Sequence, residues 1–239
     1  MIYKIFGVRF HNINFNQFSK MRYKGLVVLP SGPGLSTIYS DKIYRKSLQN
    51  ADIALFDIGY FVFLLRIFKG LKVSKFSGYK FLKLFLSYSK NKKFFSIETD
   101  KRSAIINRKY LKKLNIDIKN KQYIAPFYKR KSRILDINLL KILKITRPKI
   151  ILINLGGGTQ EVLGSYIKNN LKYKPLIICT GAAISYFTKQ QAPVNNFFDN
   201  LYLGWLIRCI FNPYVFIPRY LSSFKLIFHV LRLKIKKKS

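Results

Sequence analysis

The fold class this chain predicts is a doubly wound α/β domain on a mostly parallel sheet, and three observations predict it. Short runs that are apolar at nearly every position recur along the chain, each is followed by a segment with helical spacing, and several runs end directly on glycines or an acid. Runs apolar on both faces need cover on both sides, and helices crossing between parallel strands supply it.

The strands are read at 26–30 (LVVLP), 52–56 (DIALF), 94–98 (FFSIE), 149–154 (KIILIN) and 175–180 (PLIICT), with 122–127 (QYIAPF) as a sixth candidate. Helices are read at 40–50, 79–89, 101–114, 136–145 and 159–171, where apolar residues return at three and four. Leu139, Leu140, Leu143 and Ile145 show that spacing, and Arg147-Pro148 ends it. From about Phe197 the texture changes to Trp205, Pro213, Pro218 and a basic tail. The chain divides into an α/β domain, 1–195, and a C-terminal helical appendage, 196–239.

A length of 239 residues with 49% apolar composition allows one sizeable core. The charge is less ordinary, because 45 Lys and Arg against 9 Asp and Glu leave +36. Nucleic acid, anionic lipid and a phosphorylated substrate are all partners of matching sign. An AT-rich coding bias, visible also in the Ile, Asn, Phe and Tyr content, is the other explanation. Two cysteines, Cys179 and Cys209, make no disulfide framework, and His11 and His229 are too far apart to suggest a metal cluster by spacing. The opening MIYKIFGVRFHNINF alternates apolar and polar residues without the apolar core of a secretory signal, so a cytoplasmic location is expected. The most apolar stretch, 58–65, stops at Arg66 after about eight residues where a membrane span needs ~20.

In an open parallel sheet the ligand crevice lies beyond the carboxyl ends of the strands, so the residues just after each run are the ones to inspect. They are Ser31-Gly32-Pro33-Gly34, Asp57, Gly156-Gly157-Gly158-Thr159-Gln160-Glu161, and Gly181-Ala182-Ala183. A glycine loop opening a helix leaves backbone N–H groups facing the crevice, which suits a phosphate or diphosphate. It lacks the Gly-Lys-Ser/Thr of a P-loop, and Glu161 stands where a dinucleotide fingerprint has its third glycine, so a tight turn without a ligand stays open. Asp57 ends an apolar strand in a chain poor in carboxylates and is the general-base candidate; pairing with one of the many cations is the alternative. Glu98-Thr99-Asp100 could hold a metal-nucleotide pair, but a helix N-cap with an acidic first turn accounts for it better. The tail, 224–239, places Lys225, Arg232, Lys234, Lys236, Lys237 and Lys238 among aliphatic and aromatic residues. That mixture reads as an interfacial helix on anionic lipid, with a solvated tail and nucleic acid as rivals.

Five blocks in order resemble the WecG/TagA/CpsF family of bacterial glycosyltransferases: IFGVRFHNINF (5–15), ADIALFD (51–57), INLGGGTQE (153–161), TGAA (180–183) and LGWLIRCIFNPYVFIPRY (203–220). The resemblance implies a Rossmann-like fold and an inverting transferase that needs no metal or other cofactor. It moves a sugar, often of N-acetylmannosamine type, from a UDP-sugar to a polyprenyl-diphosphate-linked acceptor in cell-surface polysaccharide synthesis. The enzyme would sit peripherally at the inner face of the cytoplasmic membrane, with no nucleic-acid partner and with homo-oligomers left open. Asp57 matches the family's base; Ser31, Gly156, Gly157, Gly158, Gln160, Glu161 and Gly181 match the nucleotide-sugar pocket. Arg208 and Arg219 match C-terminal arginines, and Lys75 matches a position that is usually Arg. Departures fall at Ser31 (usually Asn), at Ile58 and Tyr60 (usually Gly), at Thr159 (usually Lys), at Ile184-Ser185 (usually Phe-Asp) and at Gly204 (usually Glu). A noncatalytic relative binding a nucleotide sugar or lipid, and a basic nucleic-acid-binding protein, remain as other readings.

Overall fold

The computed structural model describes residues 1–20, 24–57, 59–73, 78–89, 92–118, 120–181, 183–188, 190 and 204–238. The side chains of Trp205, Ile207, Arg208, Val215, Arg219 and Lys236–Lys238 lie outside that description.

The chain begins with a hairpin, β1 (Ile2–Ile5) and β2 (Val8–His11), paired antiparallel with Ile5 opposite Val8. The two-residue turn has positive φ at both positions, Phe6 at 55° and Gly7 at 80°, the handedness that matches strand twist. The alternation in IYKIFGVRFH is therefore a strand signal, and the sequence reading, which used it only against a secretory signal, left the hairpin out. After α1 (Phe15–Lys20) come β3 (Gly25–Val28), α2 (Gly32–Leu35), α3 (Lys42–Gln49), β4 (Ile53–Leu55), α4 (Tyr60–Lys69) and α5 (Gly78–Tyr88). The apolar stretch starting at 58 belongs largely to α4, which buries Phe61, Val62, Leu64 and Leu65. Next are β5 (Phe94–Glu98), α6 (Lys101–Lys113), β6 (Gln122–Ile124), α7 (Ile137–Thr146), β7 (Ile150–Ile153), α8 (Thr159–Asn170), β8 (Leu176–Cys179) and α9 (Ala183–Phe187). The predicted strands and helices are present, with ends displaced by a few residues.

The sheet runs β6-β5-β7-β8-β3-β4-β2-β1. Every pairing from β6 to β2 is parallel, and the β1 edge is antiparallel. Each central strand divides its side chains between two cores. Leu26, Val28, Ala54, Phe56, Ile151 and Ile153 face one; Val27, Ile53, Leu55, Ile150 and Leu152 face the other. This two-sided burial is why those strands read as unbroken apolar runs. Helix starts are fixed by carboxylates: Asp41, Asp100 and Asp136 accept N–H bonds from Tyr44, Ser103 and Leu139 at the heads of α3, α6 and α7.

The appendage comprises α10 (Gly204–Phe211), α11 (Pro213–Leu221), a 3₁₀ turn (Ser222–Phe224), α12 (Lys225–Leu231) and β9 (Lys236–Lys238). The helix expected over 224–239 ends at Leu231, and the last lysines add an antiparallel strand to β1, Tyr3 opposite Lys237. Leu226 and Val230, one turn apart, are buried in the main core, and Ile227, Leu233 and Ile235 pack against it. Lys69 Nζ donates to the Leu231 carbonyl at 2.9 Å, and the His229 ring meets the Ser36 carbonyl at 3.1 Å. The reason is amphipathic spacing beside an unpaired sheet edge: α12 buries its stripe on the domain, and β9 satisfies the backbone of β1. Among the described residues no helix is long and apolar enough to cross a membrane.

Candidate functional site

Strand order reverses at β3. The chain leaves β3 for β4 on one side, while β8, reached from β7, lies on the other. A crevice opens at such a point beyond the carboxyl ends of the strands. Three of the loops singled out from sequence meet there.

The loop after β7 is built from within. Gly158 has φ 94°, a conformation side chains rarely adopt, and a Cβ there would touch nothing within 4 Å. The backbone shape, not lack of room, calls for glycine. The buried Glu161 carboxylate turns back to accept the Gly158 N–H at 2.7 Å, the return half of a capping box. Gln160, also buried, donates to Glu161 at 3.1 Å and accepts the Gly181 N–H at 2.6 Å, tying the β7 loop to the β8 loop. The resemblance matches Gln160 and Glu161 to the nucleotide-sugar pocket; in the structure both are buried, and their side chains bond the backbone of Gly158 and Gly181. Cys179 donates to the Gln160 carbonyl at 3.3 Å, and burial, then the nearby Glu161, raise its thiol pKa.

A second polar layer lies toward β5. Thr180 Oγ1 donates to Asn154 Oδ1 at 2.5 Å, and Asn154 Nδ2 donates to Glu98 Oε1 at 2.9 Å. Ser96 Oγ, at 2.5 Å, and Asn107 Nδ2, at 2.8 Å, also donate to Glu98, which is 1% exposed. Burial nevertheless raises the Glu98 pKa. Asp100 points away as the exposed N-cap of α6, and its pKa is lowered by the Ser103 N–H. The carboxylates of Glu98 and Asp100 thus diverge, and the metal-nucleotide pairing entertained for them gives way to the helix cap. Asn154 and Thr180, read from the sequence as strand ends and not as site residues, each directly follow a strand.

Asp57 follows β4, half-buried, and its Oδ1 accepts the N–H of Gly78, the first residue of α5, at 3.1 Å. Parallel register sets His11 of β2 against Leu55. Because alternate strand residues share a face, His11 and Asp57 lie on one side of the sheet, a relation that the 45 positions between them conceal. Burial lowers the His11 pKa. Tyr60, at a departure position, has a buried hydroxyl with no hydrogen-bond partner among the described residues, and burial raises its pKa. A Cβ on Gly32 would meet Tyr60 Cβ at 3.3 Å, so the β3 and β4 loops pack closely.

Beside the crevice is a cavity of about 490 Å³. Pro33 and Gly34 from the β3 loop, Gly157–Thr159, Lys129–Ser132 with Ile134, and Pro218 with Ser222 of the appendage form its walls. Ser31 caps α2 next to this wall without a side-chain bond, and Asp57 is not among the lining residues. Arg208 lies in α10, and Arg219 follows Pro218 in α11; their side chains, and Lys75 entirely, lie outside the described residues. Lys225, Arg232 and Lys234 are exposed on the tail.

No curated protein matches the chain. The model of the glycosyl transferase WecG/TagA/CpsF family matches residues 3–239, from the first hairpin through the edge strand. That match spans nearly the whole fold just described, and the chain belongs to this family of glycosyltransferases.

Proposed function

We propose that this glycosyltransferase moves a hexose, of N-acetylmannosamine type or related, from a UDP-sugar to a polyprenyl-diphosphate-linked acceptor sugar by a single inverting displacement. The observation that carries the reading is the braced glycine loop beside Gly181, with Asp57 after β4, on the far side of β3 along the same edge of strand ends. Asp57 takes the proton of an acceptor hydroxyl, whose oxygen bonds to the anomeric carbon as the bond from that carbon to UDP breaks and UDP leaves with its electron pair. Backbone N–H groups of Gly156 and Gly157 meet the developing diphosphate charge, the Gly158 N–H being held by Glu161, and Arg208, Arg219 or Lys75 supply positive charge in place of a metal. Gln160 and Glu161 act as positioning residues.

The reading includes peripheral attachment at the inner face of the cytoplasmic membrane. Ile210, Phe211, Tyr214, Leu221, Phe224 and Phe228 are exposed apolar residues along α10 to α12, with Lys225, Arg232 and Lys234 nearby. The inward side of α12 is already occupied by the core, so attachment uses its outer side.

The test is UDP release from a panel of UDP-sugars with a lipid-diphosphate-linked N-acetylhexosamine acceptor, in EDTA, by wild type and Asp57→Asn. Asp57-dependent release in EDTA is the expected result. UDP binding without turnover would favour a noncatalytic relative, and release only with added divalent cation would overturn the metal-free displacement.

A further inference from the structure

The segment between β6 and α7 carries Lys129, Arg130 and Lys131 in succession, and all three line the 490 Å³ cavity together with Gly157, Gly158 and Thr159. All three cations are exposed, and none makes an ion pair among the described residues. Asp41, which also lines the cavity, caps α3, its Oδ1 accepting the Tyr44 N–H at 2.9 Å. Arg130 also lines an adjoining hollow of about 380 Å³ with Thr99, Phe127, Gly156 and Thr159, so it stands where the two spaces meet over the glycine loop.

The base of this segment is tied down. Asp136 accepts from Tyr128 at 2.6 Å, from Tyr123 at 2.9 Å and from the Leu139 N–H at 2.8 Å, while its own N–H donates to Tyr166 of α8 at 3.1 Å. Burial and the Asp136 charge push the Tyr123 phenol up to about 12 and Tyr128 further in the same direction, which keeps both as donors. Ile134 is buried below, and Lys131 turns the chain with φ 57°. Three neighbouring like charges repel one another, and a pinned loop that holds them over a glycine loop is organised for an anion.

We propose that Lys129, Arg130 and Lys131 clamp a diphosphate against the Gly156–Thr159 loop, supplying the cation that Thr159 does not. This rests on the transferase reading above, in which both donor and acceptor carry a diphosphate; the chemistry is shared, and the experiment separates the sources. Bidentate Arg pairing makes Arg130 the main contact and the lysines point charges.

Calorimetric titrations of the full chain would use UDP, farnesyl diphosphate and inorganic pyrophosphate, on wild type, Arg130→Lys and Arg130→Ala/Lys131→Ala. The double variant is expected to lose about ten-fold or more in diphosphate affinity, with a smaller loss for Arg130→Lys and an unchanged melting temperature, since both residues are exposed. Loss confined to UDP assigns the clamp to the donor, and loss confined to farnesyl diphosphate assigns it to the lipid acceptor. Equal affinities in wild type and double variant overturn the clamp while leaving the transferase reading intact. Binding of pyrophosphate and farnesyl diphosphate without UDP keeps the clamp and removes the nucleotide donor. Binding of none of the three overturns the clamp, and UDP release then decides the reading beneath it.

Discussion

The two ends of the sheet both have a cavity and both are basic, yet they are built differently. At the amino ends of the strands a cavity of about 690 Å³, larger than the one beside the glycine loop, is lined by Lys24, Lys92, Arg147, Lys149 and Lys174 together with Phe15, Phe18 and Phe85. Helices finish at that end, and their carbonyls already attract cations. Arg147 caps α7, with its guanidinium 5.4 Å from the Tyr173 ring centre. At the carboxyl ends helices begin, backbone N–H groups face outward, and a buried network fixes the loops that present them. Neither volume nor charge marks the site; the direction of the backbone dipoles and the bracing beneath the loops do.

Changes at the two ends would sharpen or break this contrast. The largest effect is expected from Asp57→Asn, a loss of about 10²- to 10⁴-fold in turnover with the fold retained. Wild-type turnover within a few-fold would remove Asp57 from the chemistry. Gly158→Ala should cost about 1–2 kcal/mol of stability because of its positive φ, read as a lowered melting temperature, and weaken UDP binding. Gly156→Ala has nothing within 4 Å of its new methyl, so it should melt as wild type and still bind UDP less well. Undiminished UDP binding by Gly156→Ala would reduce the loop to a turn.

A smaller effect concerns pH. Burial raises the Glu98 pKa, so the folded chain holds that proton more tightly than the unfolded chain. This group's contribution to stability therefore declines as pH rises from the unfolded carboxylate value through the folded one, and levels off above. Melting temperatures of wild type minus Glu98→Gln should fall across that window, and a flat difference would show that Glu98 does not titrate as its burial implies. The smallest effect is expected at the opposite end. Lys174→Ala should leave UDP binding and turnover unchanged, whereas a clear loss there would erase the distinction between the two ends.

The strands were legible because residues such as Leu26, Val27 and Val28 must be apolar on both faces of a covered sheet. Asp57 and the glycines stood out for the same reason, as interruptions of that pattern. Other features were concealed. The Phe6-Gly7 hairpin has the alternation of a half-covered strand pair, which is weaker than a continuous run. Lys129–Lys131 had no contrast in a chain with 45 basic residues. The tail reads as one interfacial helix because its apolar residues are equally suited to lipid and to protein.

By itself, then, the sequence determined the alternation of strand and helix and the residues that follow each strand, since both depend on local periodicity and short-range turn chemistry. Tertiary structure alone decided that Gln160 and Glu161 brace the glycine loop from beneath, that His11 comes beside the end of β4, and that Leu226 and Val230 enter the core while Lys236–Lys238 close the sheet. These outcomes depend on which distant surfaces meet and exclude water, and strand order, not residue spacing, sets those meetings.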